Sequence, residues 1–205
     1  MKNRNFIILG AIILLVAAYL YYDAPQEPQA TLATYTNQET GLVLNYPRDL
    51  MPTATNASDF CNQEDAQHTC IVVLQTPETT HTSPSDNTQQ YAFDAPLPRY
   101  GAEIIAYYEE IPKELKERFS TLPLEIIADI IKRRFKEEPN FKFSEVITNP
   151  KGTELIITQY TVGTDIIILD KTKTKLVVVT QRTPIEEFDT NQLLFDQVVN
   201  NISTQ

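Results

Sequence analysis

The sequence predicts an α+β fold in which an N-terminal membrane-spanning helix precedes one domain with a mainly antiparallel sheet flanked by helices. Three observations carry this. Residues Phe6 to Tyr22 are apolar and uncharged, with Lys2 and Arg4 ahead of them. Between Lys142 and Gln181 lie four β-type runs whose connections are too short for anything but antiparallel neighbours, since a parallel return needs a dozen residues or more. Two segments, Pro123 to Glu138 and Asn191 to Ile202, repeat apolar residues at helical spacing.

Seventeen apolar residues at about 1.5 Å each give a helix of roughly 25 Å, which interfacial Tyr19, Tyr21 and Tyr22 extend towards the thickness of a bilayer core. Positive charge on the N-terminal side alone places that end in the cytoplasm and the rest outside. The expectation is therefore a single-pass protein of an inner or plasma membrane, in contact with lipid through residues 6–22, with a periplasmic or extracellular domain. Retention as a signal-anchor is favoured over cleavage after Val16-Ala17-Ala18, because the apolar run continues past that site. Residues 1–22 are thus the anchor or signal segment, 23–34 a Pro-containing linker, and 35–205 the globular domain.

In that domain, Gly41 introduces a strand from Leu42 to Tyr46, which Pro47 stops. A β-branched run from Cys70 to Gln75 is the second strand. From Thr76 to Tyr100 the chain is rich in Thr, Ser, Gln and Pro, and a stretch this long is a functional loop or a disordered one. Ala102 to Glu110 reads as a strand. Pro123 to Glu138 reads as a helix capped by Thr121, with Ile126, Ile127, Ile130, Ile131 and Phe135 on one stripe. Its Lys132, Arg133, Arg134 and Lys136 suggest an anion site, but i to i+4 pairing of Arg133 with Glu137 and of Arg134 with Glu138 would neutralise it, leaving a solvated face. The four-strand meander follows at 142–147, 154–162, 166–169 and 175–181. Its continuous apolar runs predict a sheet covered on both faces. The last helix, capped by Asp189 or Thr190, directs Leu194, Phe195, Val198, Val199 and Ile202 inward.

The opening Tyr35–Leu50, YTNQETGLVLNYPRDL, and the closing Lys175–Ser203, KLVVVTQRTPIEEFDTNQLLFDQVVNNIS, resemble the Mog/PsbP fold, including bacterial exported PsbP-like proteins of the DUF1795 type. That resemblance implies an α/β/α sandwich and a non-catalytic binding or assembly role. It carries over no catalytic or metal-binding residue. The ending Asn201-Ile202-Ser203 in place of Ser-Phe, and the Cys61 to Cys70 loop, are departures from the pattern.

Seventeen Lys and Arg against twenty-seven Asp and Glu give a net charge of -10, which argues against nucleic acid as a partner. Five glycines, none suitably spaced, leave no nucleotide-binding loop. Cys61 and Cys70 are the only cysteines and should pair in an oxidising compartment. The rival is a metal site that adds His68 and His81, but it lacks the close cysteine hook of zinc sites. No cofactor is indicated.

The leading functional expectation is an extracytoplasmic, non-catalytic accessory protein acting through an unknown envelope protein. Tyr91, Phe93, Arg99 and Tyr100 are its candidate contacts, because aromatic and Arg side chains dominate binding hot spots. Two alternatives stand beside it. One is an immunity-type inhibitor of a toxin, whose basic surface would meet the acidic stretch 23–98, which holds ten acids and one base. The other is a hydrolase in which His68 or His81 activates Ser58 or Ser83. Glu109-Glu110 and Glu186-Glu187 are neighbours that on a strand face opposite ways and cannot share a substrate.

Overall fold

The computed structural model describes residues 31–62, 68–81, 97–111, 113–138, 140–161, 163–170 and 172–205, and Leu32–Gln205 form one compact unit. The apolar run Phe6 to Tyr22 lies outside the described residues. Among those described, no helix is long and apolar enough to cross a membrane.

Among the described residues, twelve strands and three α-helices follow one another in the order β1 (Leu32–Thr36), β2 (Leu42–Pro47), β3 (Met51–Thr53), β4 (His68–Gln75), β5 (Thr80–His81), β6 (Pro98–Tyr100), β7 (Glu103–Glu110), α1 (Lys113–Thr121), α2 (Leu124–Phe135), β8 (Phe141–Thr148), β9 (Glu154–Tyr160), β10 (Gly163–Leu169), β11 (Lys175–Arg182), α3 (Phe188–Asn200) and β12 (Ile202–Thr204). A seven-stranded sheet in the order β3-β4-β7-β11-β10-β9-β8 forms the centre, with every pairing antiparallel. The expected meander is its β8 to β11 half. A second sheet has the order β1-β2-β12, and β5 and β6 make a separate ribbon.

Successive residues of the central strands enter different cores. Ile104, Ala106, Val177, Val179, Ile166 and Ile168 pack with Leu42, Leu44, Phe195, Val198 and Ile202, so α3 and the small sheet cover one face. Ile105, Tyr107, Val73 and Val178 pack against Phe60, and Ile156 against Ile127 and Ala128 of α2, so the other face is covered too. The expectation of a sheet buried on both sides holds. It follows from β-branched runs that offer an apolar side chain to each face.

Several expectations need correction. β1 begins at Leu32, within the stretch expected as linker, because its alternating Ala33 and Tyr35 pack against the core. Thr121 does not cap α2. It ends α1, where its hydroxyl donates to the Glu117 carbonyl, and Pro123 stands at the N-cap. α2 stops at Phe135, so Glu137 and Glu138 lie beyond its helical register and the two expected pairs with Arg133 and Arg134 do not form. Only Ile127 and Ala128 of α2 are buried, whereas Ile126 and Ile130 are exposed. Neither Asp189 nor Thr190 caps α3, which continues directly from a 3-10 turn at Ile185–Glu187. Glu186 and Glu187 lie in that turn and not on a strand.

Candidate functional site

The β5/β6 ribbon carries the described half of the expected contact set. Tyr91 and Phe93 lie outside the described residues, while Arg99 and Tyr100 sit on β6. The ribbon is fastened at its base. Thr76 N donates to the Ala102 carbonyl at 3.1 Å, Ala102 N to Thr76 Oγ1 at 3.1 Å, and Thr79 Oγ1 to the Ala102 carbonyl at 3.0 Å. From the α3 side, Gly101 N donates to Glu187 Oε2 at 2.8 Å and Thr183 Oγ1 to the Gly101 carbonyl at 3.0 Å. Gly101 has φ +76, and a Cβ there would come within 2.6 Å of Thr76 Oγ1, so both the backbone and the space require glycine. Beyond this clamp Pro98 is buried. Arg99 is exposed with its guanidinium carbon 5.5 Å from the Tyr100 ring centroid, and Tyr100 is 51% exposed. An aromatic ring and a cation held on a pinned ribbon suit recognition of another protein's surface.

A second cluster lies where the 55–61 segment packs over β4, β7 and β11 of the central sheet. Cys61 and Cys70 form a disulfide with a Cα–Cα separation of 5.8 Å, so the metal alternative lacks its thiolates. The bridge holds Phe60 over the sheet. His68 stacks on Phe60 at 4.3 Å, Tyr107 lies 5.1 Å from both rings, and Arg182 stands 5.1 Å from the Phe60 ring. The Arg182 guanidinium faces the Glu103 carboxylate at 3.7 Å, which also accepts Ser58 Oγ at 3.3 Å and Gln75 Nε2 at 2.7 Å.

The cross-strand register places Asp165 beside Thr158 on β9 and Thr180 on β11. Burial raises the Asp165 carboxyl to about 6, although the Thr180 and Tyr160 hydroxyls donate to it and Arg182 is near. The Tyr107 hydroxyl is raised by its burial and by the charge of Asp165. His68 is lowered by burial, which outweighs the bond to the Phe60 carbonyl and the charge of Glu109.

This arrangement does not assemble a hydrolytic pair from Ser58 and His68. Ser58 is fully buried and donates to Glu103, while His68 Nε2 is 3.3 Å from the Phe60 carbonyl. Ser83 lies outside the described residues, and His81 is on β5. Glu109 and Glu110 do diverge as expected. Glu110 meets Lys116 and Lys175, whereas Glu109 acts on His68 from the opposite face of β7. Among the described residues no group of three His, Cys, Asp or Glu could hold a metal ion.

At the far end of the sheet lies an open groove of about 760 Å³, bounded by Leu122 and Leu124 at the start of α2, Lys151, Ile168, Lys173 and Thr204. The Asp170 carboxylate beside it is consumed by the turn it organises, accepting the backbone N–H groups of Thr172, Thr174 and Lys175. The groove therefore offers lysine side chains, hydroxyls, the Glu154 carboxylate and aliphatic walls.

No protein-family profile and no curated protein sequence matches the chain. Among solved structures it is similar to the solution structure of cyanobacterial PsbP (CyanoP) from Synechocystis sp. PCC 6803, at 12% identity over 89% of this chain and 98% of that one, with a TM-score of 0.48. It is also similar to the 1.9 Å crystal structure of the Saccharomyces cerevisiae Ran-binding protein Mog1p, at 12% identity over 86% of this chain and 96% of that one, with a TM-score of 0.36. Both are likenesses of fold alone, at 12% identity.

Proposed function

We propose that this chain is a membrane-anchored extracytoplasmic accessory protein that acts by binding a protein partner and catalyses no reaction. The observation carrying this reading is the Arg99/Tyr100 pair displayed on a ribbon fastened to β4, β7 and α3. Such a mount keeps the ordering cost of binding low, since the backbone beneath the contacts is already fixed. The apolar run at 6–22 and the pairing of the only two cysteines support an exported, oxidising setting.

Site-specific photocrosslinking from position 100 in intact cells, with the captured protein identified, tests the contact. Arg99→Ala with Tyr100→Ala should lower partner recovery at least about tenfold while changing stability by less than about 0.5 kcal/mol. Undiminished recovery removes the ribbon from the interface. Recovery of the full-length chain solely among soluble cytosolic contents overturns the anchoring.

A further inference from the structure

We infer that the outer face of α2 is a docking surface for an anionic lipid headgroup layer. Ile126 and Ile130, one turn apart, are 43% and 46% exposed although they are the kind of side chain a helix normally turns inward. Beside and beyond them stand Lys132, Arg133, Arg134 and Lys136, all exposed. Arg133 and Arg134 form no ion pair with the described residues, so the neutralisation expected from Glu137 and Glu138 is absent. Arg134 lies against the neighbouring Phe135 ring, 5.6 Å from its centroid.

The surrounding sequence agrees. Residues 113–142 hold eight of the seventeen Lys and Arg against six Asp and Glu, a local reversal of sign in a chain of net charge -10. Two aliphatic side chains flanked by cations match shallow insertion below anionic headgroups, where the stems of Lys and Arg lie along the apolar layer and their charges reach phosphate. A protein partner would more often be met by aromatic anchors, and the exposed apolar residues of this helix are both isoleucine. Asp129 and Glu125 on the same helix weaken the attraction, which keeps it dependent on salt. This surface lies apart from the ribbon and does not depend on the ribbon's role.

The chain has no tryptophan, so a single one reports its own surroundings. The test uses full-length Ile130→Trp, with Leu193→Trp on the exposed side of α3 as reference, on phosphatidylcholine vesicles with and without phosphatidylglycerol. Position 130 should emit at shorter wavelength only on the anionic vesicles, and concentrated salt should reverse the shift. Position 193 should not respond. Adding Arg133→Ala and Arg134→Ala should lower the partition constant for the anionic vesicles roughly thirty-fold. Identical emission at position 130 on both vesicle types overturns the inference. So does a shift that follows protein density instead of lipid charge, which would mean that a second copy covers the helix. Failure of the 6–22 anchor is read separately, as protein that does not float with phosphatidylcholine vesicles, and leaves the response to added anionic vesicles measurable.

Discussion

Glu103 on β7 and Arg182 on β11 sit opposite one another in register and form an ion pair inside the protein, 1% and 5% exposed. Two buried charges gain from their mutual attraction only while both are present. Arg182→Met should lower unfolding free energy by about 3–5 kcal/mol, because it strands a carboxylate away from water. Glu103→Leu combined with Arg182→Met should recover much of that loss. Urea unfolding of the two single variants and the pair gives the coupling, and additive losses would show that the charges act separately.

Asp165 is held about two pH units above the ordinary carboxyl value of 3.8, at about 6. The fold therefore prefers the protonated acid. The stability linked to this group is complete below the unfolded value, declines as pH rises through about 6, and is lost at neutrality. The associated penalty at pH 7 is on the order of 3 kcal/mol, from about 1.4 kcal/mol per pH unit. Asp165→Asn should outperform the parent chain in denaturation near neutrality, and the advantage should vanish towards pH 4. An unchanged difference between the two proteins across that range would remove Asp165 as its source.

Reduction of the Cys61–Cys70 bridge should cost about 2–3 kcal/mol by freeing a short loop in the unfolded chain. It should also release Phe60 from His68. The lowered His68 favours its neutral ring, so its contribution is present above the ordinary value of 6.5 and is lost as pH falls through the lowered one. Proton NMR titration should therefore find His68 below 6.5 in the oxidised protein and closer to it in Cys61→Ser/Cys70→Ser. Coincident titration curves would mean that the bridge does not maintain the stack.

Asn149, 5% exposed, joins the β8–β9 turn to the end of α3. Its amide donates to the carbonyls of Val199 and Ile202 at 3.0 and 2.8 Å, and its oxygen accepts the backbone N–H groups of Lys151 and Thr153 at 3.0 Å each. Asn149→Ala leaves these groups without the partners they have now and should cost about 2–4 kcal/mol. Asn149→Asp should also fail, because a carboxylate cannot donate to the two carbonyls. Thermal unfolding of both variants decides, and full stability in the aspartate variant would mean that the donated bonds contribute little.

The meander was legible because its turns carry strong local chemistry, with Asn149-Pro150-Lys151-Gly152 and Asp170 to Lys173 separating runs of Ile and Val. The final helix was legible through Phe195, Val198 and Val199. β1 was not, since Leu-Ala-Thr-Tyr-Thr has only two inward positions and follows a Pro-rich stretch without a break. α1 was hidden by its heavy charge. The end of α2 was misplaced because Lys136, Glu137 and Glu138 are all good helix formers, and the coming Pro139 stopped the pattern later than the backbone stops. The Glu103–Arg182 pair did leave a trace. Every second residue of β11 from Val178 passes through Thr180 to Arg182, which puts a guanidinium on the covered face. Register alone supplied its partner, and register is a long-range property.

β2 is flanked by β1 and by β12, pairing Leu44 with Ile202 and Leu42 with Thr204, while Gln205 N reaches back to the Gly41 carbonyl at 2.9 Å. The small sheet that roofs one core is thus stitched from residues some 160 positions apart. A growing chain has no means of closing that roof until β12 has left the ribosome. Closing the small sheet must then wait for the whole domain, and the long-range pairing that completes it makes this a late step of folding.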